Sequence, residues 1–279
     1  MTQRSLLYGL YLPPLGPFGD PGAVVELATR AEAAGWDGVF LWDHVVSDVL
    51  PVADTWTTLG ALAQATETVL LGSTVTPLPR RRPWVVARHA STVSRLSGGR
   101  LVLGVGLGSD ESGDFSRFGE PTDLRTRSAM LDEGLDIVRA MWSGEARHQH
   151  TPHYTIDLDA AAPERHRIPI WIASSVRHPK VIRRAATCDG IFPIADHTLR
   201  PEEVAAILSS VRGAGRPADQ RYDVAVAGNA SPAWPHPNPD GVDLVAIAEA
   251  GATWWMESLM YVDPLDLSLR VVDAGPPER

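Results

Sequence analysis

Residues 69–106 read VLLGSTVTPLPRRRPWVVARHASTVSRLSGGRLVLGVG, and this stretch contains the pattern that decides the fold. Its apolar runs at 69–75 and 101–106 are short and continuous, which is typical of strands buried on both faces of a parallel sheet. Between them, Pro83 opens a segment whose apolar residues recur at helical spacing, and the Ser-Gly-Gly at 97–99 ends it. The stretch therefore predicts a strand–helix–strand unit.

The same alternation extends from this unit in both directions. We predict further strands at residues 6–12, 37–42, 169–173, 188–194, 222–227 and 253–259, each followed by an amphipathic helix. Eight parallel strands joined by helical crossovers close most economically as a (β/α)8 TIM barrel. A doubly wound open sheet is the competing fold, but the Gly-rich phosphate fingerprint that usually follows its first strand is missing. No break in composition divides the chain, so residues 1–279 are predicted to form a single domain.

Composition narrows the classes of partner. The 25 basic and 34 acidic residues give a net charge of −9, which argues against nucleic acid because phosphate neutralisation needs a basic surface. The apolar run at 6–12 is too short for a signal segment or a membrane span, and we expect no membrane partner. Cys188 is the only cysteine, which excludes an internal disulfide and suits a reducing cytoplasm. Net charge does not exclude a local basic pocket, so a small-molecule substrate, including an anionic one, remains possible.

The carboxyl ends of the strands are where a closed α/β barrel carries its active site. After the second predicted strand, His44 is a residue type that transfers protons near neutral pH, and the carboxylate of Asp43 beside it can orient the ring or shift its pKa. The alternative is a helix-capping Asp43 and a solvated His44. Among the nine tryptophans, Trp42 and Trp255 are the two expected in the pocket.

Other strand ends carry candidate cofactor contacts. Small residues near the end of the third strand would let a flat ring approach the backbone, although a simple taper of the barrel explains them equally. The fourth strand ends in glycines whose spacing is not that of a dinucleotide fingerprint. The fifth strand ends in hydroxyl residues before a proline-initiated, basic helix, an arrangement that can hold a phosphate or simply cap the helix. The candidates are Ser73, Thr74, Val75, Gly106, Gly108, Ala173, Ser174, Ser175 and Val176.

Two segments are longer than ordinary loops. Residues 107–123 and 145–168 are expected to be lids or pocket walls, as long excursions from compact barrels often are. The second contains His148, His150 and His153, whose spacing without cysteine or a close carboxylate is not a zinc signature. We expect no metal site.

Taken in order, several of these segments give the chain a resemblance to the bacterial luciferase-like family. The resemblance is carried by residues 31–37, 42–44, 71–77, 96–101, 103–106, 115–119, 131–133, 142–145 and 169–173. It implies a barrel that binds FMN or the deazaflavin coenzyme F420 at its carboxyl-end face, and it implies a homodimer. Residue by residue, His44 matches the family's acid/base position, with Asp43 next to it.

The resemblance also assigns two cofactor segments. Ser73, Thr74 and Val75 match a segment that often holds a non-proline cis peptide under the isoalloxazine-type ring. Residues 173–176 match the family's phosphate-holding turn, although relatives commonly have two glycines where this chain has Ala173 and Ser174. The chain is also shorter than many relatives after the seventh strand, so we expect reduced substrate loops and an open pocket.

The two cofactors imply different reactions, because the cofactor carries the chemistry and the protein positions it. F420 passes hydride, whereas reduced FMN activates oxygen. The Asp43–His44 pair, and the possibility that Arg80, Arg81 and Arg82 meet the anionic tail of F420, favour the deazaflavin. FMN-dependent monooxygenation and a catalytically quiet cofactor-binding barrel remain alternatives. A phosphate-binding isomerase or aldolase is a weaker alternative, since Glu257 at the end of the eighth strand is the only carboxylate that suits this chemistry and no lysine ends a strand.

Overall fold

The computed structural model describes residues 6–174, 178–235 and 241–277. Its strands, in chain order, are β1 (Leu7–Leu12), β2 (Gly38–Leu41), β3 (Leu70–Pro77), β4 (Leu101–Gly106), β5 (Arg147–His150), β6 (Thr155–Leu158), β7 (Ile170–Ser174), β8 (Gly190–Pro193), β9 (Asp223–Gly228) and β10 (Trp254–Ser258). Its helices are α1 (Pro21–Ala33), α2 (Thr55–Ala65), α3 (Pro83–Leu96), α4 (Leu124–Ser143), α5 (Pro179–Ala186), α6 (Pro201–Gly213), α7 (Leu244–Glu249) and α8 (Leu265–Asp273). All eight predicted strands and the helices that follow them are present.

Eight of the strands form a closed parallel barrel. The order around it is β1, β2, β3, β4, β7, β8, β9 and β10, and β10 pairs with β1 to close the ring. Each barrel strand except β4 is followed in the barrel by the next strand of the chain, and β5 and β6 form a separate antiparallel pair in the connection from β4 to β7. The predicted (β/α)8 barrel is therefore confirmed.

The helices begin and end where local chemistry satisfies their unpaired backbone groups. Asp20, Asp54 and Asp123 each accept a hydrogen bond from an N–H in the first turn of the following helix, at 2.7–2.9 Å. At the other end of α4, Gly144 adopts a left-handed φ of 74°, a conformation that glycine takes without steric cost. These interactions define the first turns of α1, α2 and α4 and the last turn of α4.

Side chains alternate between two apolar layers. Outward-facing residues such as Val39 and Leu41 pack against the helices, whereas Phe40 points into the barrel and stacks on Trp171, with ring centroids 5.4 Å apart. Glycines on the neighbouring strands make room for these rings: a Cβ on Gly72 of β3 would lie 2.4 Å from Phe40, and one on Gly190 of β8 would lie 2.6 Å from Trp171. The lower barrel is thus a packed core, and the space for a ligand lies at its carboxyl end.

The β5–β6 hairpin corrects one expectation. Residues 145–168 were expected to form a lid or pocket wall, but the hairpin packs on the outer side of α4, where Tyr154 and Ile156 join Met130 and Ile137 in a small apolar cluster. His153 in the turn is 2.8 Å from Glu133 of α4. The hairpin therefore covers a helix, because its alternating apolar residues need a partner surface of their own.

The described residues also bear on two features expected from composition, the membrane-spanning segments and the single cysteine. Over residues 6–174, 178–235 and 241–277, none of the helices has the length and apolar character needed to cross a bilayer. Cys188 is buried with a free thiol, and burial raises its pKa.

Candidate active site

The centre of the site is an imidazole–carboxylate pair. His44 follows β2 at the carboxyl end of the barrel, and its Nδ1 donates to Oδ2 of Asp114 at 2.6 Å. Asp114 comes from the loop after β4 and is almost fully buried. Its other oxygen accepts the backbone N–H of Val45 at 2.9 Å. The pair is thereby anchored at both ends, and the His44 ring is held in one orientation.

The ionised state of Asp114 is favoured by its surroundings. Burial on its own would raise the pKa of this carboxyl, but the hydrogen bonds from His44 and Val45 and the positive charge of Arg80 outweigh burial and lower it. Arg80 Nη1 lies 2.9 Å from Asp114 Oδ1. The carboxylate is thus charged at neutral pH and accepts from the ring.

Asp43 is engaged elsewhere. Its carboxylate lies between two guanidinium groups, accepting from Arg81 Nε at 2.7 Å and from Arg80 Nη2 at 3.1 Å. The carboxylate that contacts His44 is therefore Asp114 rather than its sequence neighbour Asp43. Asp43 contacts the pair only indirectly: it binds Arg80, and Arg80 lies against Asp114.

The arginines that were expected to meet an anionic cofactor tail are occupied inside the protein. The side chains of Arg80 and Arg81 are only 5% and 16% exposed, and both bind Asp43. Arg81 also lies 3.6 Å from Asp54. Arg82 lies over the ring of Trp84. Burial of a guanidinium requires a charged partner, and this requirement explains why Arg80 and Arg81 turn inward.

Aromatic side chains line the mouth of the barrel above the packed core. Tyr11 on β1 lies between Trp42 and Phe192, with ring centroids 5.3 and 5.0 Å away. Trp42 is also 5.9 Å from the His44 ring. Burial raises the pKa of Tyr11, so its hydroxyl stays protonated at neutral pH. Trp42 thus lies where it was expected, beside the imidazole.

The end of β3 departs from regular pairing. The Thr74–Val75 peptide is cis, and the register with β4 shifts between Ser73 and Thr76. Ser73 Oγ donates to the carbonyl of Gly104, whereas the buried hydroxyl of Thr74 has no hydrogen-bond partner among the described residues. The segment that the resemblance associated with a cis peptide does contain one.

Two predicted glycines lie beside this segment. A Cβ on Gly106 would be 3.2 Å from Val75 and 3.0 Å from the carbonyl oxygen of Ala173. Gly108 has a φ of +75°, and a Cβ there would be 2.7 Å from Pro77. The backbone at Gly106 is therefore close to both β3 and β7, where a side chain would be tight, and Gly108 approaches β3 where a side chain would not fit.

The predicted phosphate-holding turn is described only in part. Ala173 is buried at the end of β7 and faces the barrel interior, and Ser174 is the last residue of that strand. Ser175 and Val176 lie outside the described residues. His178 caps α5 by accepting the N–H of Lys180 at 3.2 Å.

Trp255 and Glu257 do not lie in the pocket. Both face the helices, and the buried Glu257 carboxylate accepts the indole N–H of Trp255 at 2.8 Å and that of Trp234 at 2.6 Å. The backbone N–H groups of Ala230 and Ser231 also donate to it. The expectation that Trp255 lines the pocket was therefore wrong, and Glu257 offers no carboxylate for isomerase or aldolase chemistry there.

Asp114 is the site residue that sequence reasoning missed. It lies 70 positions after His44, in a loop whose course no periodicity predicts. The one signal was the length of segment 107–123, which was expected to approach the pocket. That expectation holds for this loop, since Asp114 contacts His44, while Phe115 packs under the guanidinium of Arg127 at 4.5 Å.

Fold and site define a class, the α/β barrels whose polar site lies at the carboxyl ends of their strands. A family model described as luciferase-like monooxygenase matches residues 9–239, and the chain belongs to this family. The resemblance noted in the sequence is thereby confirmed.

Among its relatives is the F420-dependent glucose-6-phosphate dehydrogenase of Beutenbergia cavernae, which is 35% identical over 172 residues, 59% of this chain and 50% of that protein. The 4-hydroxyprotoasukamycin monooxygenase of Streptomyces nodosus subsp. asukaensis is 33% identical over 149 residues, 51% of this chain and 39% of the relative. The chain thus spans half or less of the length of these curated relatives. A solved structure of an F420-dependent secondary alcohol dehydrogenase with an F420-acetone adduct has a TM-score of 0.75 at 18% identity, covering 96% of this chain and 97% of that one. At that identity the likeness concerns the fold.

Proposed function

We propose that this chain is an F420-dependent oxidoreductase that transfers hydride between the deazaflavin and a small organic substrate, with His44 as the acid/base. The observation that carries the proposal is the 2.6 Å hydrogen bond from His44 Nδ1 to Asp114. A carboxylate on Nδ1 selects the neutral tautomer in which Nε2 has a free lone pair, ready to accept a proton. Nε2 makes no hydrogen bond to any residue that the structure describes.

The residues at the mouth fit an isoalloxazine-type ring. The Thr74 hydroxyl and the Trp42 indole N–H are buried and have no hydrogen-bond partner among the described residues. Buried polar groups normally have such a partner, so both are suited to a ligand that carries polar atoms on a flat ring. Ser73, Thr74 and Val75 would support the ring, Gly106 and Gly108 would let it approach the backbone, and residues 173–176 would hold its phosphate.

When bound, the deazaflavin accepts or donates the hydride. The protein's own part is the proton. As a substrate hydroxyl is oxidised, His44 Nε2 accepts its proton, and the resulting imidazolium is stabilised by the charge of Asp114. In the reverse direction, the imidazolium donates the proton to the carbonyl oxygen. Asp43 and Arg80 keep the Asp114 carboxylate in place during both steps.

FMN-dependent monooxygenation is the second candidate. It is supported by the relative named as a monooxygenase and by the same ring-binding residues, which do not distinguish the two tricyclic cofactors. Since Arg80 and Arg81 are paired internally, they give no preference for the anionic tail of F420. The preference for F420 therefore depends on the imidazole–carboxylate pair, which suits proton transfer coupled to hydride transfer.

Separate titrations of F420 and FMN test the cofactor assignment, with ligand fluorescence and tryptophan quenching as the signals. We expect saturable binding of F420 that is tighter than that of FMN. Tighter binding of FMN, with oxygen uptake after reduction, would favour the monooxygenase, and binding of neither would reject both assignments. For the acid/base role, His44→Ala should abolish turnover while F420 still binds. Full turnover by His44→Ala would instead favour a barrel that needs no proton transfer from this residue.

Two further properties belong to the proposal. We propose a homodimer, as the resemblance implies, and sedimentation velocity at micromolar concentration tests it directly. We also propose a cytoplasmic location, which the single buried thiol of Cys188 supports because it needs no oxidising compartment.

A further inference from the structure

We infer that the substrate of this site is an uncharged, largely apolar molecule and not a phosphorylated one. The inference rests on the proposed function, because it concerns the same mouth and the same acid/base pair. Three independent observations support it: an apolar rim, an aromatic wall and the neutralisation of nearby cations.

The rim consists of exposed apolar side chains on the loops that follow the barrel strands. Single exposed apolar residues are ordinary on protein surfaces, but here six of the ten large ones among the described residues lie on these loops, and a seventh, Leu124, is the first residue of α4. Val49 is 85% exposed and Val262 is 73% exposed. Because the carboxyl ends of the strands meet at one end of the barrel, these loops surround one opening. The rim residues are Val45, Val49, Phe118, Leu124, Ile194, Tyr261 and Val262.

Below the rim, the wall is aromatic and apolar. Tyr11, Trp42 and Phe192 form one continuous set of ring contacts, and Val75 completes it on the side of β3. Among the described residues, the polar atoms at this level without a hydrogen-bond partner include Nε2 of His44, the Trp42 indole N–H and the Thr74 hydroxyl, whereas Asp114 and Arg80 are paired with each other. An apolar pocket with a few polar groups fits an apolar ligand with one reacting polar centre.

Among the described residues, most of the cations on the same loops already have anionic partners, and Arg82 instead lies over the ring of Trp84. A phosphate dianion needs guanidinium or ammonium groups that are free to bind it, but Arg80 and Arg81 bind Asp43, and Arg117 binds Asp48. The lysine of the chain, Lys180, lies 3.0 Å from Asp132. His44, His197 and Arg200 on these loops also lie beside carboxylates. A phosphorylated substrate that used any of these paired groups would have to break the corresponding ion pair.

The oxidation of such a substrate requires no charged group on the substrate. An uncharged alcohol loses a hydride from its carbinol carbon to the cofactor and the hydroxyl proton to His44, so that two electrons leave the substrate and a carbonyl compound forms. Apolar contacts alone must then hold the rest of the molecule, and affinity should rise with apolar length. Burying one methylene corresponds to roughly a threefold to fourfold gain in affinity.

A series of linear primary alcohols from butanol to octanol, compared with glucose 6-phosphate, tests the inference. Binding is followed by tryptophan quenching on protein with and without F420, so that the readout does not depend on turnover. We expect the dissociation constant to fall about threefold to fourfold with each methylene and glucose 6-phosphate to bind more weakly than octanol. A dissociation constant that does not change from butanol to octanol, or tighter binding of glucose 6-phosphate than of octanol, overturns the inference even if F420 binds. Failure of F420 to bind, by contrast, counts against the proposed function.

Rim variants test where the apolar contacts lie. Phe118→Ser and Val49→Ser should each weaken octanol binding severalfold, whereas Leu96→Ser, an exposed apolar residue at the far end of α3, should leave it unchanged. If the rim variants alter self-association and leave octanol affinity intact, the rim belongs to an interface between copies and the inference fails.

Discussion

At the scale of single residues, the site depends on which carboxylate reaches His44. An imidazole without a carboxylate partner exchanges between its two tautomers, and only one of them can accept a proton through Nε2. Asp114 removes this ambiguity because an ionised carboxylate only accepts hydrogen bonds. In the proposed mechanism, two tasks are thus separated between two strand ends, with proton transfer by His44 after β2 and orientation by Asp114 after β4.

Replacement of Asp114 by asparagine tests whether Asp114 orients His44. An amide can donate to Nδ1 and so favour the tautomer in which Nε2 carries the proton, and it cannot stabilise the imidazolium by charge. We expect kcat of Asp114→Asn to fall by roughly 10²- to 10⁴-fold while F420 affinity changes little. Steady-state kinetics and F420 titration are the measurements. Asp48→Asn, which removes an exposed pair with Arg117 on the neighbouring loop, is the matched control and should retain kcat. Unchanged kcat in Asp114→Asn would exclude an orienting role.

The sequence predicts part of this residue-level arrangement. His44 and the segment 73–75 could be identified because each directly follows, or ends, an apolar run. The contact to Asp114 could not be, since it depends on how the irregular loop 107–123 folds back over β2. The inward turn of Arg80 and Arg81 is hidden for the same reason: a run of arginines resembles a solvated surface until its carboxylate partners are located.

At the scale of elements, Glu32 joins a helix to a strand. It lies near the end of α1, and its carboxylate accepts the N–H groups of Glu67, Thr68 and Val69 just before β3, at 2.5–3.0 Å. Partial burial alone would raise its pKa, but these bonds outweigh burial and lower the pKa to about 2. Glu32 thereby satisfies backbone groups at the start of the strand that ends in the site.

This pKa predicts how the stability of the protein responds to acid. Because the folded-state pKa lies below the ordinary value, the carboxylate stabilises the folded state above about pH 4.5. That contribution is lost as the pH falls from there through about 2. Glu32→Gln should lower the free energy of unfolding by about 1 kcal/mol at pH 7, and the difference from the unmodified protein should shrink below pH 4. Urea denaturation at pH 7, 4 and 3 measures both. Glu26→Gln, an exposed pair with Arg30, should show neither effect, and a difference that stayed constant with pH would contradict the assignment.

Glu257 supports a second prediction at this scale. Its carboxylate is surrounded only by donors, namely two indole and two backbone N–H groups, which hold the segment after β9 against β10. In Glu257→Gln, the amide NH2 would face one of these donors and leave it unsatisfied. The expected loss is about 1–3 kcal/mol in the free energy of unfolding, measured by urea denaturation at pH 7. The exposed Glu249→Gln should be neutral, and equal stability of both variants would show that the donors find other partners.

The positions of the barrel strands and of the helices between them could be predicted from the sequence better than those of the hairpin and the loops. The barrel strands and the caps at Asp20 and Asp54 follow from apolar runs and N-cap chemistry. The β5–β6 hairpin was missed because β5 consists of Arg147, His148, Gln149 and His150, and only β6 shows apolar alternation. An exposed two-stranded pair has too little apolar content to predict its position.

At the scale of the whole molecule, the barrel is closed between its first and last strands. Tyr8 pairs with Trp255 across this seam. Outside it, Trp36 Nε1 donates to the carbonyl of Val272 at 2.9 Å, and Arg30 binds Asp273. The first and last strand–helix units of the chain are thus joined in both the strand layer and the helix layer. The barrel can therefore close only when both ends of the chain are present.

This closure predicts a single cooperative unfolding transition. Far-UV circular dichroism and tryptophan fluorescence should report the same melting temperature, and F420 at 100 times its dissociation constant should add about 2.7 kcal/mol of stability. For a chain of this size, that corresponds to a rise of several degrees. Different melting temperatures from the two signals would indicate two folding units and contradict the single-domain expectation.

The seam also has a consequence for the synthesis of the chain. While the ribosome is still adding residues up to 258, β1 and β9 are the two edges of an incomplete sheet, with unpaired N–H and C=O groups. Exposed strand edges pair readily with other chains. We therefore expect a ribosome-bound chain that stops after β9 to be prone to pairing with other chains, and the emergence of β10 to remove both edges at once.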